Sequence, residues 1–424
     1  MGSRLPSYSE AAALVDGYAA SLARKPAAVE RVRLDQAPGR VLARTLSADR
    51  DQPPFARSTR DGYACRAAEA SAHGRLALAG STRAGEAPAG PLPNGAAWEI
   101  MTGAPVPADA DAVVMLEHVH TLGKWVRLLP PRTIETGENI VARGAQARTG
   151  DELLPAGSGI GFAQVALAAS CGCAELEVFR RPRVAILTTG DEIVPVEAEP
   201  RLGQIRNSNG PMLAAMVAAA GGDPWVLPTA TDTAEALDAA LAQAIEADML
   251  LITGGVSAGK FDLVEPALQR MGARFHFTGV RIQPGKPLVF GEVPASLRQN
   301  LNQKEGPTPW CCCWGLPGNP VSSAVTFLLF AAPVLAALAG KRDRGPRFVL
   351  AQLAEEVKGK PGLTRFLPAA CTFGSIPGEL PEVKRVAWQG SGDLASMALS
   401  NCFLVLPEDS AHIHAGEMVR ILLP

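Results

Sequence analysis

The sequence predicts a multidomain α/β protein. Its predicted parts are a doubly wound, mostly parallel α/β sheet domain, a β-rich inserted lid domain, a small mixed α/β linking domain and a C-terminal β-barrel-like domain. A chain of 424 residues is too long for one core, and its 47% of hydrophobic residues can fill several. Residues 181–343 alternate short apolar runs with helical patterns, which favours a parallel sheet covered by helices. Residues 52–148 and 344–424 carry short β-type runs between glycines and prolines, which indicates small β domains.

The order of these patterns predicts the domain boundaries. Ser7-x-x-Glu10 is a capping box that begins an alanine-rich helix. A mixed strand and helix pattern follows, stops at Pro53-Pro54 and returns after the β-rich part, so we expect the lid to interrupt the linking domain. Strand-like runs without a long helix near the C-terminus fit a small barrel or a sandwich. The predicted domains are the linking domain at residues 1–51 and 149–180, the lid at 52–148, the α/β domain at 181–343 and the C-terminal domain at 344–424.

Composition argues against several classes of function. Lys plus Arg total 40 and Asp plus Glu total 42, so we expect no basic surface for nucleic acid. The N-terminus lacks the apolar core of a secretory signal, and Val325 to Leu338 is too short to cross a bilayer. We therefore expect a cytoplasmic protein with no membrane partner. The eight cysteines have no regular spacing and are predicted to be free thiols, and Cys171-x-Cys173 and the Cys311 to Cys313 triplet fit core or strand positions better than metal ligands.

The most informative stretch is a buried strand followed by glycines. Met249 to Thr253 is a short apolar run of the kind found in a strand buried on both faces, and Gly254, Gly255 and Gly259 follow it. Glycines let backbone amides approach a bound anion, and a following helix would add its positive dipole end. We expect this loop to bind phosphate, although an ordinary strand-to-helix turn has the same pattern.

Two further loops follow predicted strands of the same domain. One carries Thr189, Gly190, Asp191 and Glu192, and the other runs from Gly315 to Pro320, where Asn319 suits a helix N-cap. Because parallel strands end at the same edge of a sheet, we expect all three loops to converge there. The amides of Gly254, Gly255 and Gly318 with the Ser257 hydroxyl would then form a phosphate cradle, and Asp191, Glu192 and Asp262 would hold a divalent cation.

Three other turns carry candidate polar residues. Lys286 stands between prolines in Pro284-Gly285-Lys286-Pro287, which would hold its charge in a fixed direction to meet an oxyanion, although a solvated surface lysine has the same pattern. In the predicted lid, Asp61 and Thr102 each lie in a glycine-containing turn whose default interpretation is structural.

Taken together, these motifs resemble those of the molybdopterin molybdenumtransferase (MoeA-like) family, which includes the C-terminal domain of gephyrin. One glycine motif is weak evidence, but a series in the family's order over nearly the whole chain is strong. The matching stretches are Asp61-Gly62-Tyr63-Ala64, Met101-Thr102-Gly103-Ala104, Thr189-Gly190-Asp191-Glu192, Gly254-Gly255-Val256-Ser257-x-Gly259, Pro284-Gly285-Lys286-Pro287 and Gly315-Leu316-Pro317-Gly318-Asn319-Pro320.

The resemblance implies an elongated homodimer of four-domain protomers, with the active site between the α/β domain of one subunit and the lid of the other. It also implies the reaction, in which molybdate and adenylyl-molybdopterin give the molybdenum cofactor and AMP with Mg²⁺ present. Transient contacts with molybdopterin adenylyltransferase and with molybdoenzyme maturation proteins are expected as well. The dithiolene ligands of molybdenum come from the pterin, so no protein cysteine is required.

The resemblance also implies residue roles, which combine with the loop analysis above. The expected catalytic residues are Asp61, Thr102, Glu192, Asp262 and Lys286. The expected substrate-binding residues are Thr189, Gly190, Asn207, Asp232, Gly254, Gly255, Ser257, Pro317, Gly318, Asn319, Pro320, Arg365 and Ser391. The expected metal ligands are Asp191, Glu192 and Asp262.

The chain departs from the family pattern in a few places. Gln283 replaces a lysine of some members, Arg143-Gly144-Ala145-Gln146 lacks an expected acidic pair, and Arg206-Asn207 replaces a frequent Tyr-Asp. Ser296 to Cys313 is longer than usual and predicts a surface excursion. We expect these changes to affect metal and anion affinity rather than the class of reaction. Two other functions stay open: a molybdopterin adenylyltransferase, and a non-catalytic dimeric scaffold of the gephyrin type.

Overall fold

The computed structural model describes residues 4–22, 28–87, 90–255, 263–297, 310–374 and 378–424. Two predicted site residues, Ser257 and Asp262, lie outside the described residues, as does Gly259. Most of the predicted excursion before Gly315 also lies outside them.

The α/β part of the chain is built on a six-stranded mixed sheet in which five strands run in one direction and one, Val289–Pro294, runs in the opposite direction. The parallel pairs confirm the doubly wound prediction, and two antiparallel pairings add Val289–Pro294 and then Arg274–Phe277 at one edge of the sheet. The spatial order is Asp223–Val226, Arg183–Thr188, Met249–Thr253, Trp310–Leu316, Val289–Pro294 and Arg274–Phe277.

Helices cover both faces of this sheet because successive strand residues point to opposite sides. Ile186 and Leu251 face one core, while Leu187 and Ile252 face the other. The helices packed on the first core are Tyr8–Leu22, Asn209–Ala220, Pro320–Thr326 and Ala332–Leu338, the last two joined by a π-helical turn at Phe327–Ala331. Those on the second core are Ala234–Ala244 and Val264–Arg270.

The helical run Pro320–Leu338 is long and apolar enough to cross a membrane by length and composition. It begins earlier than the apolar run of the sequence suggests, because Pro320 occupies its first turn. However, 89% of it is buried inside the protein, as in a core helix of a soluble fold.

The inserted segment forms a second six-stranded sheet, as its short β-type runs predict. Gly62 lies on its second strand, where a Cβ atom would come within 1.9 Å of the Val114 carbonyl oxygen, so no other residue fits without a backbone shift. The strand order is Ala112–Met115, Gly62–Cys65, Ala96–Ile100, Arg75–Thr82, Trp125–Leu128 and Val119–Leu122, with the helix Ala67–His73 packed beside it.

The chain segments on either side of this insertion pair with each other. Strands Val29–Arg33 and Glu175–Phe179 form one antiparallel pair, and Leu46–Ser47 and Glu152–Leu154 form another. The helix Phe162–Ser170 completes their common core. At the root of the insertion, Arg57–Ser58 pairs with Ile140–Val141.

The C-terminal part forms a closed barrel, which decides between the barrel and the sandwich. Closure comes from strand Thr364–Thr372, which pairs with both Glu382–Arg385 and Cys402–Leu406. The remaining strands are Arg347–Leu353 and Met418–Leu423, with Ile282–Gln283 added from the α/β part. The short helix Leu394–Ala398 and a ribbon of Val357–Lys358 with His412–Ile413 lie outside the barrel sheet.

We expect Trp314→Ala to destabilise the α/β part strongly. Trp314 is fully buried, and its ring stacks on Phe290 with centroids 4.0 Å apart. Large-to-small changes of this kind cost about 3–5 kcal/mol because the cavity cannot fully close. Calorimetric thermal unfolding should show a lower Tm.

Leu202→Ala is the control, because Leu202 is fully exposed and its truncation leaves no cavity. An unchanged Tm for Trp314→Ala would contradict the packing described.

Candidate active site

The three predicted loops leave the sheet at the same edge. In the ladder of parallel strands, Thr188 pairs with Thr253, and Thr253 pairs with Leu316. The loops that follow these residues form a cavity of about 690 Å³. The expected convergence is therefore observed for the described residues.

Most of the predicted catalytic, substrate-binding and metal-ligating residues that the structure describes line this cavity. Those that do are Thr189, Gly190, Glu192, Asp232, Gly254, Gly255, Lys286, Pro317, Gly318, Asn319 and Ser391. Those that do not are Asp61, Thr102, Asp191, Asn207, Pro320 and Arg365. Asn207 is buried behind the wall, where its Nδ2 donates to Thr188 and its Oδ1 accepts from the Gly210 amide.

Glycines are required where the first two loops touch. Gly254 has φ +97°, and a Cβ atom there would lie 2.5 Å from the Thr189 carbonyl oxygen. Gly255 has φ +63°, and its Cβ would lie 3.1 Å from Thr189 Oγ1. A side chain at either position would strain the backbone and separate the loops. Thr189 Oγ1 is buried, lines the cavity and has no hydrogen-bond partner among the described residues, so it is available to a ligand.

A buried asparagine that sequence analysis missed joins the second and third loops. Asn209 Nδ2 donates to Thr253 Oγ1 at 2.9 Å and to the Gly318 carbonyl oxygen at 2.6 Å. Its Oδ1 is buried and has no partner in the described part of the chain, and the residue lines the cavity. Asn209 opens a helix, and this position was the only signal in the sequence.

Acidic groups crowd one side of the cavity. Asp191 Oδ1 accepts a hydrogen bond of 3.0 Å from the Asp232 amide, which holds the first acidic loop against the loop after Val226. Burial raises the pKa of Asp232, and the charges of Asp191 and Glu192 raise it further. The site therefore has excess negative charge, which a cation would neutralise.

The proline-rich turn and the C-terminal barrel also contribute to the cavity wall. Lys286 is exposed there. Gln283 lines the cavity, and its buried Oε1 has no partner in the described part of the chain. Arg365 pairs with Gln283 on the neighbouring strand but does not line the cavity. Ser391 Oγ accepts a hydrogen bond of 2.8 Å from Asn319, which fastens the barrel to the third loop. Trp388 also lines the cavity and was not predicted.

Asp61 and Thr102 form a pair in the lid sheet. The backbone amide and the hydroxyl of Thr102 both donate to Asp61 Oδ1, at 2.6 and 2.7 Å. These bonds lower the pKa of Asp61, the bond from the Thr102 amide most. Both residues are exposed, so the pair presents a preorganised carboxylate to solvent.

This combination of fold and cavity defines a class: multidomain α/β proteins with a cavity at the carboxyl edge of the parallel strands and an inserted β-rich segment. Three family profiles match consecutive parts of the chain. They are the MoeA N-terminal region (domain I and II) at residues 6–172, the "Probable molybdopterin binding domain" at 185–337 and the MoeA C-terminal region (domain IV) at 350–423.

Similar proteins match this chain over nearly its whole length. The chain is 35% identical to a molybdopterin molybdenumtransferase of Synechococcus elongatus, covering 98% of both chains, and 33% identical to one of Nostoc, covering 93% of this chain and 88% of the relative. A crystal structure of a molybdopterin biosynthesis MoeA protein from Pyrococcus horikoshii matches with TM-score 0.80 and 28% identity, covering 99% of this chain and all of the other. The chain belongs to the molybdopterin molybdenumtransferase (MoeA) family.

We expect Asp232→Asn to stabilise the protein at pH 7. A raised carboxyl pKa means that the folded protein binds the proton more tightly than the unfolded chain, so stability falls as pH rises from the unfolded-state value of about 3.9. The amide removes this penalty and preserves the size of the side chain. Thermal unfolding at pH 7 should give a higher Tm for the variant.

At a pH below about 3.9 the two proteins should converge, because Asp232 is then protonated in both states. A stabilisation of the same size at both pH values would show that the effect is not electrostatic.

Proposed function

We propose that this protein inserts molybdate into adenylyl-molybdopterin and releases AMP. The observation that carries the proposal is the convergence of three glycine-containing loops on one cavity that is also lined by Glu192, Asp232 and Lys286. Curated relatives along nearly the whole chain bear the name molybdopterin molybdenumtransferase, which supports the same reaction.

The loops suit the phosphate groups of an adenylylated pterin. Gly254 and Gly255 allow the second loop to lie against Thr189 at the cavity, and Gly318 lies beside Gly254. Their amides would hold the phosphates, while Lys286 would attract the molybdate and phosphate anions. The buried Oδ1 of Asn209 lacks a described partner and would accept a hydrogen bond from an N–H group of the ligand.

Mg²⁺ fits the acidic side of the cavity. Carboxylate oxygens suit this hard cation, and the raised pKa of Asp232 indicates charge that needs neutralising. We propose Asp191, Glu192 and Asp262 as ligands, with Asp232 beside them. The described carboxylates alone do not bring three ligand oxygens within 4.8 Å of one another, so they do not form a closed cage. A bound Mg²⁺ would polarise the pyrophosphate link for hydrolysis.

We further propose that the active site is shared in a homodimer. Asp61 and Thr102 do not line the cavity of their own chain, yet they form an exposed, hydrogen-bonded pair. The lid of a second copy would bring this pair to the cavity. The same proposal includes the four-domain division at residues 51, 148, 180 and 343, a cytoplasmic location, and transient contacts with molybdopterin adenylyltransferase and molybdoenzyme maturation proteins.

The proposal predicts that Glu192→Gln and Lys286→Ala each lower AMP release from adenylyl-molybdopterin and molybdate. The first weakens the cation site, the second removes a charge that stabilises oxyanions, and each should cost about 100-fold or more. Both residues are exposed, so Tm should stay unchanged.

Glu197→Gln and Lys384→Ala are the matched controls, because both residues are exposed and neither lines the cavity. Full activity of both site variants would refute the assignment. Formation of the pterin adenylate from molybdopterin and ATP by this protein alone would instead support the adenylyltransferase function.

The shared site predicts complementation between inactive variants. Asp61→Asn and Glu192→Gln homodimers should both be inactive, whereas subunit exchange would give heterodimers with one intact site each. A 1:1 mixture should therefore recover about a quarter of the native sites. AMP release before and after exchange measures the recovery.

A mixture of Asp61→Asn with Lys286→Ala should behave in the same way. Native mass spectrometry should first verify that subunits have exchanged. If AMP release then shows no recovery, the site is not shared between subunits.

A further inference from the structure

A short ribbon outside the barrel sheet carries two histidines and a glutamate on one face. Strands Val357–Lys358 and His412–Ile413 pair antiparallel, with Val357 opposite Ile413 and Lys358 opposite His412. Val357 and Ile413 are buried in the barrel core. Since successive residues of a strand point to opposite sides, the residues next to this buried pair face solvent.

Three of the residues next to the buried pair are Glu356, His412 and His414, and all three are exposed. His412 Nε2 lies 3.4 Å from Glu356 Oε2, and the two imidazole rings have centroids 4.4 Å apart. One ligand atom from each of the three residues falls within 4.8 Å of the other two. No other such trio of His, Cys, Asp or Glu occurs among the residues that the structure describes.

We propose that Glu356, His412 and His414 bind a divalent transition-metal cation, with Zn²⁺ as the reference ion. Two imidazoles and a carboxylate form a donor set that zinc uses in proteins, with the fourth position left to water. Ligands about 2.1 Å from a tetrahedral ion lie about 3.4 Å from each other. His412 Nε2 and Glu356 Oε2 are already 3.4 Å apart. Mg²⁺ prefers oxygen ligands, so this donor set differs from the one proposed in the cavity.

Contacts of the ribbon and of the chain after it hold His412 and His414 in position. The buried Val357 and Ile413 side chains anchor both strands of the ribbon. The His414 amide donates to the Glu417 carboxylate at 2.8 Å, which fixes the chain just after the second strand. Lys358 faces His412 in the ladder and is exposed, so its positive charge opposes a cation there.

Zn²⁺ titration of the full chain by calorimetry, after removal of metals with a chelator and with thiols kept reduced, tests the site. We expect saturable binding of one ion per chain. His412→Ala and His414→Ala should each weaken binding about tenfold or more, because each leaves two ligands. Glu356→Gln should also weaken it, and Lys358→Ala should strengthen it roughly threefold by removing a nearby like charge.

Two variants control for other zinc ligands. His73→Ala removes an exposed histidine far along the chain, and Cys173→Ser removes the one cysteine that is not buried among the described free thiols. Neither should change the affinity. Undiminished binding by the His412→Ala/His414→Ala double variant, or absence of saturable binding by the wild-type chain, would overturn the proposal.

The ribbon does not line the large cavity, so this inference is independent of the proposed reaction. The double variant should release AMP at the wild-type rate. Loss of the saturable Zn²⁺ binding together with intact turnover would support the metal site, whereas undiminished Zn²⁺ binding by the double variant would refute it whatever the turnover.

Discussion

The register of the parallel strands is the constraint on which the site depends. Thr188, Thr253 and Leu316 stand side by side at the carboxyl edge because the apolar runs before them are buried on both faces. A shift of one residue in any of these strands would exchange the residues facing the two cores. Loops that are far apart in the sequence are thus brought together by hydrophobic packing, and no contact with a ligand is needed to assemble them.

Polar contacts then adjust the loops within this frame. Gly254 allows the second loop to touch Thr189, and Asn209 fastens that loop to Gly318. The barrel contributes through Ser391, which accepts from Asn319, so three parts of the chain share one wall. The same contacts leave Thr189 Oγ1 and Asn209 Oδ1 buried without described partners. Leaving buried polar groups unpaired is costly, which favours a polar ligand that completes their hydrogen bonds.

Patterns local in sequence predicted the alternation of strands and helices, the β-rich insertion and the three loops. Features that depend on distant pairing could not be predicted. Closure of the barrel requires Thr364–Thr372 to find Cys402–Leu406, and no local signal distinguishes this from a sandwich. Trp388 reaches the cavity only because the barrel packs there, and Asn209 resembled an ordinary residue at a helix start. Asp61 and Thr102 were found by motif, since the fold of one chain does not bring them to its cavity.

The departures from the family pattern have different structural consequences. Arg143 donates to Asp51 at 2.7 Å, and the Gln146 amide donates to the Gln52 carbonyl, so the loop without its acidic pair lies at the root of the lid. That loop is not part of the cavity wall, whereas Gln283 is. Because Gln283 is neutral, Lys286 is the one cationic residue among the described residues that line the cavity. The same cavity contains Asp232, whose pKa is raised by burial and by the charges of Asp191 and Glu192. In the proposed reaction, ligand anions would therefore meet a weaker positive field, and their binding would depend more on backbone amides and on the proposed divalent cation.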